Sequence, residues 1–213
     1  GESGCGKSVT TYSIMKLLPH SASIESGQIL FNDRDLLGLS EKELQGIRGK
    51  EISIVFQDPN ASLNPSLRIE RQIRENYQIH SNISKREARQ KAITLLEQLK
   101  ITYPERRLRQ YPHELSGGIK QRICFAMALI FHPKILIADE FTTNLDVTMQ
   151  AEMIKILNEL RSRINTSILF ISHDLSLIYQ CCDSAAIMYA GQIVEKGRVK
   201  DLFKNPLHPY TQG

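Results

Sequence analysis

The sequence predicts an α/β fold: a parallel sheet interrupted by an inserted helical subdomain. Three observations predict it. Gly1-Glu2-Ser3-Gly4-Cys5-Gly6-Lys7-Ser8 fits the pattern G-x-x-x-x-G-K-[ST] and runs directly into helical spacing. Residues 135–138 and 167–172 are apolar runs of the kind found in strands covered on both faces. From about residue 69 to 131 the apolar spacing is helical instead.

Each element has its own signal. Residues 9–18 read as a helix stopped by Pro19, and 27–33 as a strand with Ile29 and Phe31 on one face. Ser40-Glu41-Lys42-Glu43 is a capping box opening a short helix that reaches Ile47. Residues 51–56 carry the next strand, Gln57 stands at its end, and the turn-rich stretch 58–65 reads as loop. Ser84-Lys85-Arg86-Glu87 is a second capping box, with Ala88, Ala92, Leu95, Leu96 and Leu99 following at helical spacing. A further helix starts at Ser116-Gly117-Gly118 and carries Ile123, Ala126, Met127, Leu129 and Ile130. After strand 135–138, residues 149–164 are amphipathic, with Met153, Ile156, Leu157 and Leu160 on one side. Strand 167–172, helix 175–181, strand 185–188, a turn over Tyr189-Ala190-Gly191-Gln192 and strand 193–196 complete the pattern. The organisation is one domain over 1–213, with a core subdomain at 1–65 and 132–213 and a helical subdomain at about 66–131.

Composition narrows the class. The chain of 213 residues is 41% hydrophobic and 23% charged, as globular domains are. No run approaches the length of a membrane span and no signal-peptide pattern opens the chain, so membrane association is expected through partners. The net charge of +4 is mild. Lys85, Arg86, Arg89 and Lys91, and Arg106, Arg107 and Arg109, lack the interleaved aromatics of a base-stacking surface. They read as solvated faces, and no nucleic acid is expected as a partner. Cys5, Cys124, Cys181 and Cys182 have no metal-ligand spacing and read as free thiols.

The chemistry sits at a few positions. In the glycine-rich loop, Gly1, Gly4 and Gly6 let backbone N–H groups, including those around Glu2, Ser3 and Cys5, close on phosphate oxygens at a helix N-terminus. Lys7 supplies a mobile cation for the β- and γ-phosphates, and the Ser8 hydroxyl a Mg²⁺ ligand. Asp139 and Glu140 end an apolar strand, where one carboxylate can hold Mg²⁺ through water and its neighbour can orient or deprotonate an attacking water. Gln57 and His173 also end apolar strands, the edge where open α/β sheets bind ligands. Ser116-Gly117-Gly118 opens a helix whose N–H groups and dipole suit a second phosphate. At Cys5 the helix N-terminus favours a thiolate, so a thiol reagent there is expected to block nucleotide binding.

A loop of this kind marks only some NTPase. The segment Leu115-Ser116-Gly117-Gly118-Ile119-Lys120-Gln121-Arg122, with Ile135-Leu136-Ile137-Ala138-Asp139-Glu140 downstream, is far more specific. With it the chain resembles, from end to end, the ATP-binding subunit of ABC transporters. The implied fold is a P-loop NTPase (RecA-like) core with a parallel sheet, plus an inserted α-helical subdomain carrying the ABC signature. ATP and Mg²⁺ are the implied cofactors, with Ser8, Gln57 and Asp139 on the metal side. By the same resemblance Asp139 is the Walker B aspartate, Glu140 the catalytic glutamate, and Gln57 the Q-loop glutamine that contacts metal or water. His173 is the switch histidine at the γ-phosphate, as imidazole or imidazolium. Ser116, Gly117 and Gly118 serve the ATP of a second ATPase subunit, identical or paralogous, in a head-to-tail dimer crossed by Asn144-Leu145-Asp146. Permease subunits would hold this pair at the cytoplasmic side of the membrane, with an extracytoplasmic solute-binding protein as an indirect partner.

Finer similarity points to the oligopeptide and dipeptide importer branch, with nickel importers close by. It rests on Phe56-Gln57-Asp58-Pro59, Ser62-Leu63-Asn64-Pro65, Leu145-Asp146-Val147-Thr148 and Met188-Tyr189-Ala190-Gly191. The tail Leu202-Phe203-Lys204-Asn205-Pro206-Leu207-His208-Pro209-Tyr210-Thr211 is the most specific part. Ile119 stands where the broad family favours Gln, although this branch often has an apolar residue there. Phe141 and Asn144 depart from a usual Pro and Ala, and leave the hydrolysis rate and a degenerate site as open alternatives. A non-transport ABC ATPase would carry coiled coils or a duplicated cassette, and a P-loop kinase or GTPase would not place Ser-Gly-Gly, Gln57 and His173 in this order. The chain opens at the first loop glycine, so a preceding strand and an adenine-stacking aromatic are expected upstream.

Overall fold

The structure is a computed structural model that describes residues 4–143, 145–161 and 165–212. In chain order its first elements are α1 (Lys7–Ile14), β1 (Leu30–Phe31), β2 (Arg34–Asp35), α2 (Glu41–Ile47), β3 (Ile52–Val55) and α3 (Pro59–Ser62). A helical stretch follows: α4 (Ile69–His80), α5 (Lys85–Gln98), α6 (Pro104–Arg109) and α7 (Gly117–Leu129). Then come β4 (Ile135–Asp139), α8 (Val147–Arg161), β5 (Ser167–Ile171) and α9 (Leu175–Cys181). A hairpin, β6 (Ser184–Tyr189) and β7 (Gln192–Arg198), precedes α10 (Val199–Lys204) and α11 (Pro209–Gln212). The chain divides into two compact units, residues 1–44 with 170–213, and residues 45–169.

In the first unit α1 starts and stops earlier than its apolar spacing predicts. Its end is a Schellman motif rather than Pro19. Lys16 takes a left-handed φ of 47°, its N–H bonds to Ser13 O at 3.1 Å, and the Leu17 N–H bonds to Tyr12 O at 2.8 Å. The expected strand 27–33 shrinks to the two residues of β1, because Asn32 and Asp33 both adopt positive φ and turn the chain into β2. Ala190 and Gly191 do the same between β6 and β7, whose pairing is irregular between Ile187 and Met188. The tail, which carried no predicted element, holds α10 and α11.

In the second unit β3 and β4 pair in parallel, from Ile52 opposite Ile135 to Val55 opposite Ala138, and the sheet order is β3-β4-β5. Leu136 to Asp139 are all buried, as expected of a covered strand. β5 departs from that expectation: it stands last in the sheet order, and Leu169 is 41% exposed. The stretch 58–65 is not pure loop. The Asp58 side chain accepts the Asn60 N–H at 2.8 Å and Pro59 occupies the first turn, which is how a helix begins, so one turn forms as α3. Lys120 on α7 reaches it, Nζ to Asn60 Oδ1 at 2.7 Å.

The first capping box forms in full and the second only in half, since the Glu87 carboxylate pairs with Lys91 at 3.1 Å instead of returning to the Ser84 N–H. Ser40 and Glu43 bond reciprocally ahead of α2, and Ser84 Oγ accepts the Glu87 N–H at the start of α5. Ile69, Leu96, Leu99, Leu108, Ile123 and Phe125, each 0% exposed, form the interior of the helical stretch. Each such side chain contributes about 1.5–3 kcal/mol by leaving water. Met153, Ile156 and Leu157 are the buried face of α8, and Leu160 lies outside the described side chains.

Candidate functional site

The first unit holds the glycine-rich loop. Gly4 and Gly6 have φ of +82° and +101°, a region costly for any side chain, and through them the backbone turns abruptly into α1 at Lys7. The first turn of α1 has no acidic residue, so its positive dipole end meets no carboxylate of its own helix. That is a fit for a phosphate group. The loop is also packed from behind. Cys5 O accepts the Gly191 N–H at 3.2 Å, and a Cβ on Gly6 would stand 3.3 Å from Met188 Cε. Cys5 itself is only 7% exposed, with Lys7 Nζ 3.8 Å from its Sγ, so a reagent reaches it less readily than the sequence implied.

His173, two residues beyond the end of β5, belongs to the first unit and is exposed. Its backbone is pinned on both sides. Ser172 Oγ accepts the Asp174 N–H at 2.9 Å, and Asp174 Oδ1 caps α9 through the Ser176 and Leu177 N–H groups.

The second unit places Gln57 and Glu140 just beyond the ends of adjacent strands. Val55 is opposite Ala138 in the parallel ladder, so the residues two further on leave adjacent strands at the same edge. Asp139 is buried at 3% exposure, whereas Gln57 is exposed and Glu140 half-buried. Glu140 takes a φ of +43°, and its carbonyl accepts the Thr143 N–H at 3.1 Å. Phe141 next to it is 1% exposed and packs on Phe125 of α7. Ser116 is the N-cap of α7 but its hydroxyl makes no capping bond. Gly118 is buried because the Met149 side chain fills the space a Cβ would need. Gly1, Glu2 and Ser3 of the loop, and Asn144, lie outside the described residues.

Among the described residues no three His, Cys, Asp or Glu side chains gather into a metal cage. Ser8 and Asp139 offer hard oxygens, the donor type Mg²⁺ takes when phosphates and water complete its shell. The sequence reading missed Met188 and Gly191 behind the loop, Phe125 against Phe141, and Met149 over Gly118. Only the turn dipeptide Ala190-Gly191 left a local signal, and nothing local says what such a turn touches.

A family model described as ABC transporter matches residues 1–143. Across the whole chain, the oligopeptide transport ATP-binding protein OppD of Bacillus subtilis is 52% identical, and the chain covers 60% of that protein. The dipeptide transport ATP-binding protein DppD of the same organism is 50% identical over the whole chain, which covers 64% of it. The chain thus spans less than two thirds of the length of these curated relatives. A dimeric ATP-binding cassette in a post-hydrolysis state, bound to ADP and Pi, superposes with a TM-score of 0.80 at 25% identity, covering 93% of this chain and 83% of the other. The cbiO1 protein of Clostridium perfringens, part of the ABC transporter complex cbiONQ, gives a TM-score of 0.80 at 28% identity, covering 96% and 77%. The predicted α/β architecture is that of these cassettes. The chain belongs to the ABC transporter family.

Proposed function

We propose that this chain binds and hydrolyses ATP to power an importer of oligopeptides or dipeptides. One observation carries the reading: identity of 52% that runs over the whole chain with a protein of oligopeptide transport. The left-handed glycines that open α1 support the nucleotide part of it.

Lys7 and the loop N–H groups hold the phosphates, and Lys7 draws charge off the β- and γ-oxygens. Ser8, Asp139 and Gln57 would hold a Mg²⁺, and that ion would neutralise phosphate charge. Glu140 orients the attacking water and takes its proton, and His173 meets the γ-phosphate. The Ser116 hydroxyl and the N–H groups of Gly117 and Gly118 receive the γ-phosphate held by a second, identical or paralogous subunit placed head-to-tail. ATP then closes the pair and hydrolysis reopens it, and permease subunits at the cytoplasmic face convert that motion into transport. A solute-binding protein on the other side of the membrane delivers the peptide. In this scheme residues 1–65 and 132–213 form the nucleotide-binding core and about 66–131 the helical subdomain. Among the described residues no helix is long and apolar enough to cross a membrane, which is in keeping with attachment through partners.

The test is ATP turnover by the full-length protein beside Glu140→Gln. Turnover lost in the variant, with ATP-dependent dimerisation kept, is the expected result. Equal turnover in both proteins would overturn the assignment of Glu140.

A further inference from the structure

The turn Met188-Tyr189-Ala190-Gly191 and the tail from Leu202 to Thr211 have no part in the chemistry above. In the first unit they form one assembly behind the glycine-rich loop. The tail folds back along the β6–β7 hairpin. Glu195 Oε1 accepts the Leu207 N–H at 2.8 Å, and the ring of Tyr189 lies 5.1 Å from that of Tyr210 and 6.1 Å from that of His208. The tail also closes on itself, with Gln212 Nε2 donating to Pro206 O at 3.0 Å and the Tyr210 N–H to His208 Nδ1 at 3.2 Å. The same turn bears on the loop. Gly191 donates its N–H to Cys5 O, and the Met188 methyl sits against Gly6. The irregular pairing between Ile187 and Met188 is the device that re-aims a side chain out of a ladder.

We propose that Met188 and Gly191 are positioning residues for the nucleotide loop, and that the tail anchored on Tyr189 and Glu195 is the strap that sets their place. The proposal rests on the loop being the nucleotide site. Its physical basis is preorganisation. A loop rich in glycine loses much conformational freedom when it closes on phosphates. A turn that already fixes Cys5 O and Gly6 lowers that loss before nucleotide arrives. The strap acts on affinity and not on the chemical step, because neither Met188 nor Glu195 is assigned any contact with the reacting groups.

The experiment uses full-length protein and the variants Met188→Ala, Glu195→Ala and Glu195→Gln. Two quantities are read: the rate of maleimide labelling at Cys5 without nucleotide, resolved by mass spectrometry, and the affinity for a fluorescent ATP analogue. Met188→Ala and Glu195→Ala are expected to label about fivefold faster and bind about fivefold more weakly, with turnover at saturating ATP within about twofold. Glu195→Gln, which keeps an acceptor for the Leu207 N–H but not the charge, is expected to recover part of both and to fall between the parent and Glu195→Ala. Labelling unchanged in both alanine variants overturns the strap, as does unchanged affinity. Parent protein that binds no analogue overturns the nucleotide reading instead, and Cys5 labelling still decides whether the strap holds the loop.

Discussion

The ring of Phe141 meets that of Phe125 edge-to-face, their centroids 4.8 Å apart at 64°. Both rings are fully buried, and Phe141 directly follows Glu140 while Phe125 sits within α7, whose N-terminus is Ser116-Gly117-Gly118. The side chain that replaces a usual Pro therefore joins the Glu140 turn to the signature helix. Phe141→Ala should cost about 3–5 kcal/mol of folding stability, and Phe141→Leu, nearer in volume, under about 1.5 kcal/mol. In urea titrations the double change with Phe125→Ala should cost less than the sum by about 0.5–1.5 kcal/mol, the worth of an aromatic pair beyond its area. Strict additivity would show that the two rings do not act on each other.

Glu140 is held at a φ of +43°, where a non-glycine residue is strained by about 1–2 kcal/mol. Glu140→Gly should therefore fold at least as stably as Glu140→Ala, although glycine is usually the poorer choice. Turnover should fall by at least about 100-fold in both, since each removes the carboxylate. Thermal unfolding beside ATPase rates separates the two effects. A glycine variant clearly less stable than the alanine one would mean the backbone there relaxes without strain.

Local chemistry was legible in the residues. Ser40 with Glu43, Ser84 with Glu87, and the buried run before Asp139 could be placed because each signal lies within one element. Asp58-Pro59 was equally legible as a helix start, but the turn residues around it outweighed the cap. What could not be read is distance across the fold. Nothing around Glu195 announces that Leu207 will donate to it, and the helical spacing of α7 shows Phe125 inside without showing Phe141 as its partner. The left-handed φ of Lys16 was hidden as well, since a lysine there competes on no propensity scale with Pro19 as a helix stop.

Gly118 offers a test in which an ordinary rule reverses. Gly→Ala inside a helix normally stabilises by about 1 kcal/mol. Here the new Cβ would run into the Met149 methyl, with Met149 Sδ at 3.0 Å, so Met149 must leave its place. Gly118→Ala should lose about 1 kcal/mol in the parent, as overpacking does. In a Met149→Ala background the same change should become neutral or stabilising. If the sign does not depend on residue 149, Met149 is not what keeps glycine at this position.

Acid should loosen the tail before it unfolds the rest of the first unit. The Glu195 carboxyl is held below the usual carboxylate range, first by the Thr211 hydroxyl, then by the backbone N–H groups of Leu207 and His208 and by the charge of His208. A carboxyl depressed in the folded state binds fewer protons there than in the unfolded chain, so its contribution is complete above the ordinary value of 4.5 and is lost as pH falls through the folded one. Glu195→Gln removes that titration while keeping an acceptor for Leu207. Its stability deficit relative to the parent should be constant above that ordinary value and shrink steadily below it. Glu43 is depressed as well, by Ser40, but it is present in both proteins and cancels in the difference. Denaturation curves from neutral pH down into the acid range measure that difference. A deficit that stays flat through the acid range would show that the Glu195 charge is not what fastens the tail to the hairpin.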